Sequence, residues 1–165
     1  MRFLVVLSFV LNAVFCSFGQ HHLSLLAGRN RLDYLGGFQY SFHQKQHVYI
    51  GGVELGITRT FGQRRMNPRI SVGYGFDCIS AEKWLLGPSF QFASSGVVIS
   101  KQPQTIVYSN EYLAGYFFEF GDRLKLAHQM VFGAMTEGFK NQFNQEKELF
   151  WSSGYYASLG IKYRL

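Results

Sequence analysis

The chain has 165 residues, a length that favours a single domain. Aromatic residues make up 18% of it and charged residues only 16%, with 18 glycines and 3 prolines, which disfavours a helical bundle and fits β-structure with a large apolar surface. The net charge of +6 is scattered rather than clustered, which argues against a nucleic-acid-binding surface.

The N-terminal segment has the pattern of a secretory signal peptide. Arg2 supplies a positive charge, residues 3–15 form an apolar run, and small and polar residues follow. We predict cleavage near residues 17–20, with residues 1–20 as the signal and 21–165 as the mature domain. The alternative is a retained single-span anchor, for which the run is short. Phe15, just before Cys16, departs from the lipoprotein pattern.

Beyond residue 20 the recurrent pattern is the alternation of apolar and polar residues that is typical of β-strands. Eight such runs are predicted, at about 21–28, 32–43, 47–61, 69–78, 84–101, 104–120, 123–136 and 149–165. The fourth run is the most regular, with Ile70, Val72 and Tyr74 on one side and arginine, serine and glycine on the other. Pro88 predicts a bulge in the fifth run, because proline cannot donate to a ladder.

The connections between runs alternate in length. Residues 43–46, 79–83 and 120–123 read as tight turns, whereas 62–68 and 136–148 read as longer, polar loops. Cys78 is the one cysteine left after signal removal, so an internal disulfide is not expected.

Alternating faces fit either a soluble sandwich with an apolar core or a membrane barrel with an apolar exterior. The polar faces here are rich in glycine and serine rather than lysine and glutamate, which suits a crowded barrel interior. Aromatic residues lie on the apolar faces, and the runs are about 10 residues or longer, enough to cross a bilayer when tilted. We therefore predict an all-β fold, an eight-stranded antiparallel up-and-down transmembrane β-barrel with both termini at the end that carries the tight turns.

Three features of the sequence resemble known protein families. The ending GIKYRL, residues 160–165, resembles the C-terminal signal of bacterial outer-membrane barrels, with Leu165 in place of the usual Phe. The mature region resembles small eight-stranded barrels such as the transmembrane domain of outer-membrane protein A. The Gln after the signal and GPSFQF, residues 87–92, resemble the outer-membrane β-barrel proteins of Bacteroidetes. The resemblance implies that the protein is located in a Gram-negative outer membrane, where its outer face contacts lipid. It also implies that the barrel assembly machinery recognises Gly160, Tyr163 and Leu165.

Charged residues in a narrow, dry interior must pair. The alternation places in the lumen Asp33, Glu54, Arg69, Asp77, Glu111, Glu119, Lys125, Lys162 and Arg164. We predict that an ion-pair network fills and closes the lumen. The predicted network consists of Glu54, Arg69, Asp77, Glu111, Lys125 and Lys162. A porin-like selective pore is the alternative.

Fold does not imply function. The predicted role is structural or adhesive, or that of an accessory subunit of an outer-membrane complex, with Phe139, Lys140 and Phe143 of the 136–148 loop as a partner surface. No cofactor and no metal are expected, and His43 and His47 flank a turn without further ligands at metal spacing.

Two other functions stay open at this stage. The first is a lipid A or phospholipid-modifying enzyme, for which His22 and Ser24 share a face, although no partner acid can be assigned. The second is a soluble lipocalin-like ligand binder, if the apolar faces form an internal core.

Overall fold

The computed structural model describes residues 19–60, 63–98, 105–141 and 147–165, with side chains described outside 57–65, 97–107 and 139–147. The strands in these residues are β1 (Gln20–Asn30), β2 (Tyr34–Gln44), β3 (His47–Thr60), β4 (Gln63–Phe76), β5 (Ile79–Ala81), β6 (Trp84–Val98), β7 (Thr105–Gly121), β8 (Leu124–Asn141) and β9 (Lys147–Arg164). No helix among the described residues is long and apolar enough to cross a membrane.

The strands form a closed antiparallel barrel. The strands from β1 to β4 pair with their neighbours in sequence, as do those from β5 to β9, and β4 and β5 both pair with β6. The segments β4 and β5 are therefore two parts of one strand, interrupted at Asp77 and Cys78, whose backbone N–H groups donate to Gln46 and Leu86 carbonyls. Since β9 also pairs with β1, eight strands close the ring, and the predicted fold is confirmed.

The closing seam runs the length of β1. It pairs His22 with Arg164 at one end and Asn30 with Tyr156 at the other. The Leu165 N–H donates to the His21 carbonyl at 2.9 Å, so the hydrogen bonding continues to the last residue. The C-terminal strand is thus paired on both sides over residues 156–164, whereas its outer residues 147–155 pair with β8 alone.

The faces of the strands have the predicted polarity. Leu25, Phe38 and Ile70 point outward and are 59%, 61% and 62% exposed, whereas Ser24 and Ser41 point into the barrel and are buried. An apolar exterior around a polar interior is the pattern of a barrel that sits in lipid. The soluble alternatives require the reverse arrangement, and the structure excludes them on this ground.

The interior also has an apolar layer that the alternation did not predict. Leu35, Leu113, Val131 and Tyr156 form a buried cluster inside the barrel. These residues share the parity of the glycines and serines, and the sequence analysis treated that parity as polar. Inward-facing side chains must fill a small barrel to protein density, and residues of this size do so where glycine leaves room.

The two ends of the barrel differ. The end that carries Gln20 and Leu165, called the turn end below, has tight turns at residues 45–46, 82–83 and 122–123. Gly121 precedes the last of them with a φ of 126°, a conformation that glycine adopts without a steric penalty. The opposite end is called the loop end.

Three predicted loops are shorter than expected. Residues 79–81 form β5, so that turn shrinks to residues 82–83. β4 already begins at Gln63, and the 136–148 loop is strand up to Asn141 and again from Lys147. The error has a physical reason: beyond the lipid, both faces of a hairpin meet water, so its strands lose the apolar alternation while their backbones stay paired.

Candidate functional site

The lumen holds two clusters of buried charge, and the first lies toward the loop end around Arg69. Its guanidinium forms an ion pair with Glu54 of β3 and a second with Glu111 of β7, where Nη2 lies 2.7 Å from Oε2. The Tyr156 hydroxyl donates to Glu54 Oε1 at 2.5 Å, and Arg69 Cζ lies 4.5 Å from the centroid of the Tyr156 ring. This cluster therefore links β3, β4, β7 and β9 across the lumen and gives each buried charge a counter-charge, with Arg69 Nε left without a hydrogen-bond partner among the described residues.

Amides extend the first cluster toward the loop end. Asn30 Nδ2 donates to Glu111 Oε1 at 2.7 Å, and Asn67 Nδ2 donates to Asp33 Oδ2 at 2.7 Å. Asn30 Oδ1 accepts the backbone N–H of Asp33 at 2.7 Å, which fixes the turn between β1 and β2. The lumen at this level is thus crossed by hydrogen-bonded side chains rather than open.

The second cluster lies toward the turn end around Glu119 of β7. Lys162 Nζ donates to Glu119 Oε1, and Lys125 Nζ donates to Glu119 Oε2 at 3.2 Å. His43 Nε2 lies 2.9 Å from Lys162 Nζ and 3.7 Å from Glu119 Oε1, and the centroid of its ring lies 4.5 Å from that of His22. Two lysines share one carboxylate here, whereas two carboxylates share one arginine in the first cluster, so the clusters carry opposite net charges.

Apolar side chains separate the two clusters. Glu111 and Glu119 are eight residues apart on β7, roughly 27 Å at about 3.4 Å per residue. Between them Leu113 and Phe117 point inward and are each 4% exposed. The residues predicted as one network therefore fall into two groups. Glu119 was placed in the lumen by alternation but left out of that network, and it is the acceptor that brings Lys125 and Lys162 together.

Two predicted lumen residues lie at the turn end. Asp77 is buried at the break between β4 and β5, level with the turn at residues 45–46, and no ion pair to it occurs within the described part of the chain. Burial, together with the negative charge of Glu119, raises the pKa of the Asp77 carboxyl. Arg164 is exposed at the rim and belongs to neither cluster.

The candidate histidines His22, His43 and His47 have different surroundings. His22 and Ser24 are both buried in the lumen, and neither the His22 ring nor the Ser24 hydroxyl has a hydrogen-bond partner among the described residues. His43 points inward to Lys162, whereas His47 points outward to the Tyr74 hydroxyl at 2.7 Å. Within the described ranges no group of three or more His, Cys, Asp or Glu could hold a metal ion.

The other predicted residues lie at the seam and at the loop end. Gly160 of β9 pairs with Leu26 of β1, and Tyr163 and Leu165 are exposed on the outer surface near the turn end. Phe139 and Lys140 are in the last part of β8, and Phe143 lies outside the described residues.

A wide vestibule opens at the turn end. Its volume is about 780 Å³, and it leads from the rim to His43 and Lys125 of the second cluster. Its charged lining comprises Lys45, Asp77, Glu82, Lys83, Asp122, Arg123, Lys125 and Arg164. A small internal space of about 30 Å³ lies further in, bounded by Phe117, Gln129 and Lys162. The lumen is therefore much narrower there than at the vestibule.

The fold is similar to that of solved outer-membrane proteins. The chain is similar to outer membrane protein H (OprH) from P. aeruginosa, with 13% identity, a TM-score of 0.54, and coverage of 88% of this chain and 99% of that one. A major outer membrane protein from Thermus thermophilus gives 11% identity and a TM-score of 0.48, covering 88% and 99%. The outer membrane protease OmpT from Escherichia coli gives 7% and 0.41, covering 89% and 96%.

No protein-family model matches the sequence, and no curated protein matches it either.

The fold likeness to OprH and the lipid-facing exterior agree with each other. A closed barrel whose outward side chains are apolar needs a hydrocarbon surround, and barrels of this kind are found in outer membranes. The chain is therefore an integral outer-membrane β-barrel of eight strands.

Proposed function

We propose that the protein is a closed, non-conducting barrel with a structural or adhesive role, or that of an accessory subunit in an outer-membrane complex. The observation that carries the proposal is the Arg69 cluster, which joins strands on opposite sides of the lumen at a level where both carboxylates and the guanidinium are at most 2% exposed. The second cluster and the apolar layer between them add two further barriers to ion flow.

Planar bilayer recording tests the closed lumen. The purified barrel is expected to give no single-channel steps at high protein load. Replacing Arg69, Glu54 and Glu111 together by Ala removes the charges and the bulk of the first cluster, and is expected to raise the frequency of openings without opening a constant pore, because the Glu119 cluster remains. Steady conductance from the unmodified protein would contradict the proposal and favour the pore.

The loop end supports a role in binding a partner. Leu149, Phe150 and Trp151 are consecutive in β9, so they point to both sides of the hairpin, yet they are 55%, 50% and 68% exposed. Apolar residues exposed on both faces are typical of an interaction surface. On β8 they lie next to Phe139 and Lys140, which we include in the proposed surface together with Phe143 of the predicted loop.

Cross-linking in intact cells tests this surface. A photoreactive amino acid at Trp151 is expected to capture a specific outer-membrane or extracellular protein, whereas the same group at Val72, which faces lipid, is not. Equal capture at both positions would argue that the barrel has no partner at its loop end.

Three finer features belong to the same proposal. Residues 1–20 are a cleaved signal peptide, Gly160, Tyr163 and Leu165 are read by the barrel assembly machinery, and the likeness to the outer-membrane protein A domain and to Bacteroidetes barrels reflects common ancestry. N-terminal sequencing of the outer-membrane protein tests the first. Slower membrane assembly after deletion of Leu165 tests the second.

A further inference from the structure

The outer surface has a furrow near its loop end. One row of outward side chains crosses four strands as Leu159 of β9, Ala27 of β1, Gly36 of β2 and Leu55 of β3. The two small residues in the middle form the floor, and the leucines, 55% and 52% exposed, form the walls. The furrow has a volume of about 760 Å³ and is lined almost wholly by apolar atoms.

The neighbouring rows of outward side chains, one on each side of the Leu159–Leu55 row, define the two ends of the furrow. Toward the turn end the next row carries Ile161, Leu25 and Phe38, all large, and they close the furrow. Toward the loop end the next row has Arg29 beside Tyr34. A Cβ added at Gly36 would have no atom within 4 Å, so no part of the described chain covers the floor.

Two arginines lie at the loop end of this furrow. Arg29 Cζ lies 4.9 Å from the centroid of the Tyr34 ring, and Arg31 Nη1 donates to the Ser153 carbonyl at 3.3 Å. Neither guanidinium forms an ion pair with a carboxylate in the part of the chain that the structure describes. Arginine that is free of acidic partners is suited to phosphate, which its planar fork binds through two hydrogen bonds.

The height of Arg29 matches a lipid head group. His21, which bonds to Tyr40 on the outer surface at the turn end, is eight residues from Arg29 on the same strand. At about 3.4 Å per residue and a tilt of about 40°, the two differ by roughly 20 Å in depth, close to the height of the apolar band of such barrels. Arg29 therefore lies near the outer boundary of the hydrocarbon.

We infer that this place binds a phosphate-bearing lipid of the outer leaflet, with one acyl chain in the Ala27–Gly36 furrow and its phosphate on Arg29 and Arg31. The occupant is a lipid rather than a protein because the furrow faces hydrocarbon and its open end carries unpaired positive charge. The inference does not depend on the closed lumen or on a partner at the β8–β9 hairpin.

Native mass spectrometry of the intact barrel, released from detergent after mixing with lipid A or with dephosphorylated lipid A, tests the site. We expect retention of lipid A to exceed that of the dephosphorylated form by about tenfold, a difference of about 1.4 kcal/mol, because only lipid A offers phosphate to the two guanidinium groups. The Arg29→Gln, Arg31→Gln double variant is expected to lose that preference. Gly36→Leu fills the furrow and is expected to weaken retention of both lipids.

Gly51→Leu is the matched control. Gly51 also points outward, a Cβ there also meets nothing within 4 Å, and it does not line the furrow. The Gly51→Leu variant should retain lipid as the unmodified protein does. An unchanged heat-dependent gel shift shows that each variant is folded. Equal retention of the two lipids by the unmodified protein, or Gly36→Leu behaving like Gly51→Leu, would overturn the inference. Full displacement of lipid A by inorganic phosphate alone would overturn the acyl-chain contact.

Discussion

At the scale of single residues, each cluster in the lumen has one residue of one charge facing two residues of the opposite charge. The single residue is called the minority partner below. Arg69 forms ion pairs with two carboxylates, and Glu119 forms ion pairs with two ammonium groups. Removal of a minority partner leaves two like charges facing each other in a buried space, whereas removal of a majority partner leaves a simple pair. The unequal clusters thus predict unequal effects of mutation.

Arg69→Met is expected to destabilise the barrel by about 3–5 kcal/mol, because it leaves Glu54 and Glu111 buried without a counter-charge. Urea unfolding in lipid vesicles, followed by tryptophan fluorescence, measures the loss. The matched variant is Arg69→Met combined with Glu54→Gln and Glu111→Gln, which removes all three charges and should recover most of the stability. If the triple variant were as unstable as the single one, packing rather than charge would explain the effect.

At the scale of strands, glycine has two distinct roles in this barrel. Inside, Gly115 lies so close to the neighbouring strand that an added Cβ would be 2.1 Å from the Met130 carbonyl oxygen. Outside, Gly51 has open space above it. The alternation predicted which face each glycine occupies, but the distance to the next strand depends on local twist and pleat, which composition does not encode.

Gly115→Ala is accordingly expected to cost about 1–3 kcal/mol, because the β7–β8 pairing must shift to admit the methyl group. Gly51→Ala, on the outer face, should change stability by less than about 0.5 kcal/mol. Equilibrium unfolding of the two variants side by side gives the comparison. A cost at Gly51 equal to that at Gly115 would show that strand entropy, not the close contact, determines the effect.

The length of the β8–β9 hairpin is a second strand-scale feature. Both strands have 18 residues, more than an apolar band of about 25 Å requires at the usual tilt. The sequence predicted these strands as residues 123–136 and 149–165, and it missed the outer residues 137–141 and 147–148, where the apolar alternation has stopped.

The two tryptophans of the chain make this protrusion measurable. In a Trp84→Phe variant, the remaining Trp151 should be quenched by iodide in the water and little affected by brominated lipids. In a Trp151→Phe variant, Trp84 should show the opposite pattern, because it lies at the turn end beside Phe118 and Phe120, in the position of an interfacial aromatic belt. Strong quenching of Trp151 by brominated lipid would place the hairpin in the bilayer.

At the scale of the whole molecule, alternation determined the fold class because in a barrel every strand repeats one rule, apolar outward and polar inward. The same rule does not say which inward residues meet. Glu54 and Arg69 are paired neighbours on β3 and β4, but Glu111 comes from the far side, and its level is set by the stagger of all the intervening strands. Arg69 could therefore be predicted as paired, whereas its second carboxylate and the separation from Glu119 could not.

Closure itself predicts resistance to denaturation by detergent. In the folded barrel every described strand except the short β5 has a paired neighbour on both sides, and β9 joins β1 along residues 156–164, so dodecyl sulfate finds no open seam at room temperature. Unheated protein should therefore migrate differently from boiled protein on an SDS gel, with a β-rich circular dichroism spectrum before heating. Replacing Leu25 and Ile161, which adjoin each other at the seam on the outer face, by Pro removes seam hydrogen bonds and should abolish the shift, whereas replacing them by Val should preserve it. A protein that is soluble without detergent and shows no shift would mean that the apolar faces form an internal core and that the barrel described here is inside out.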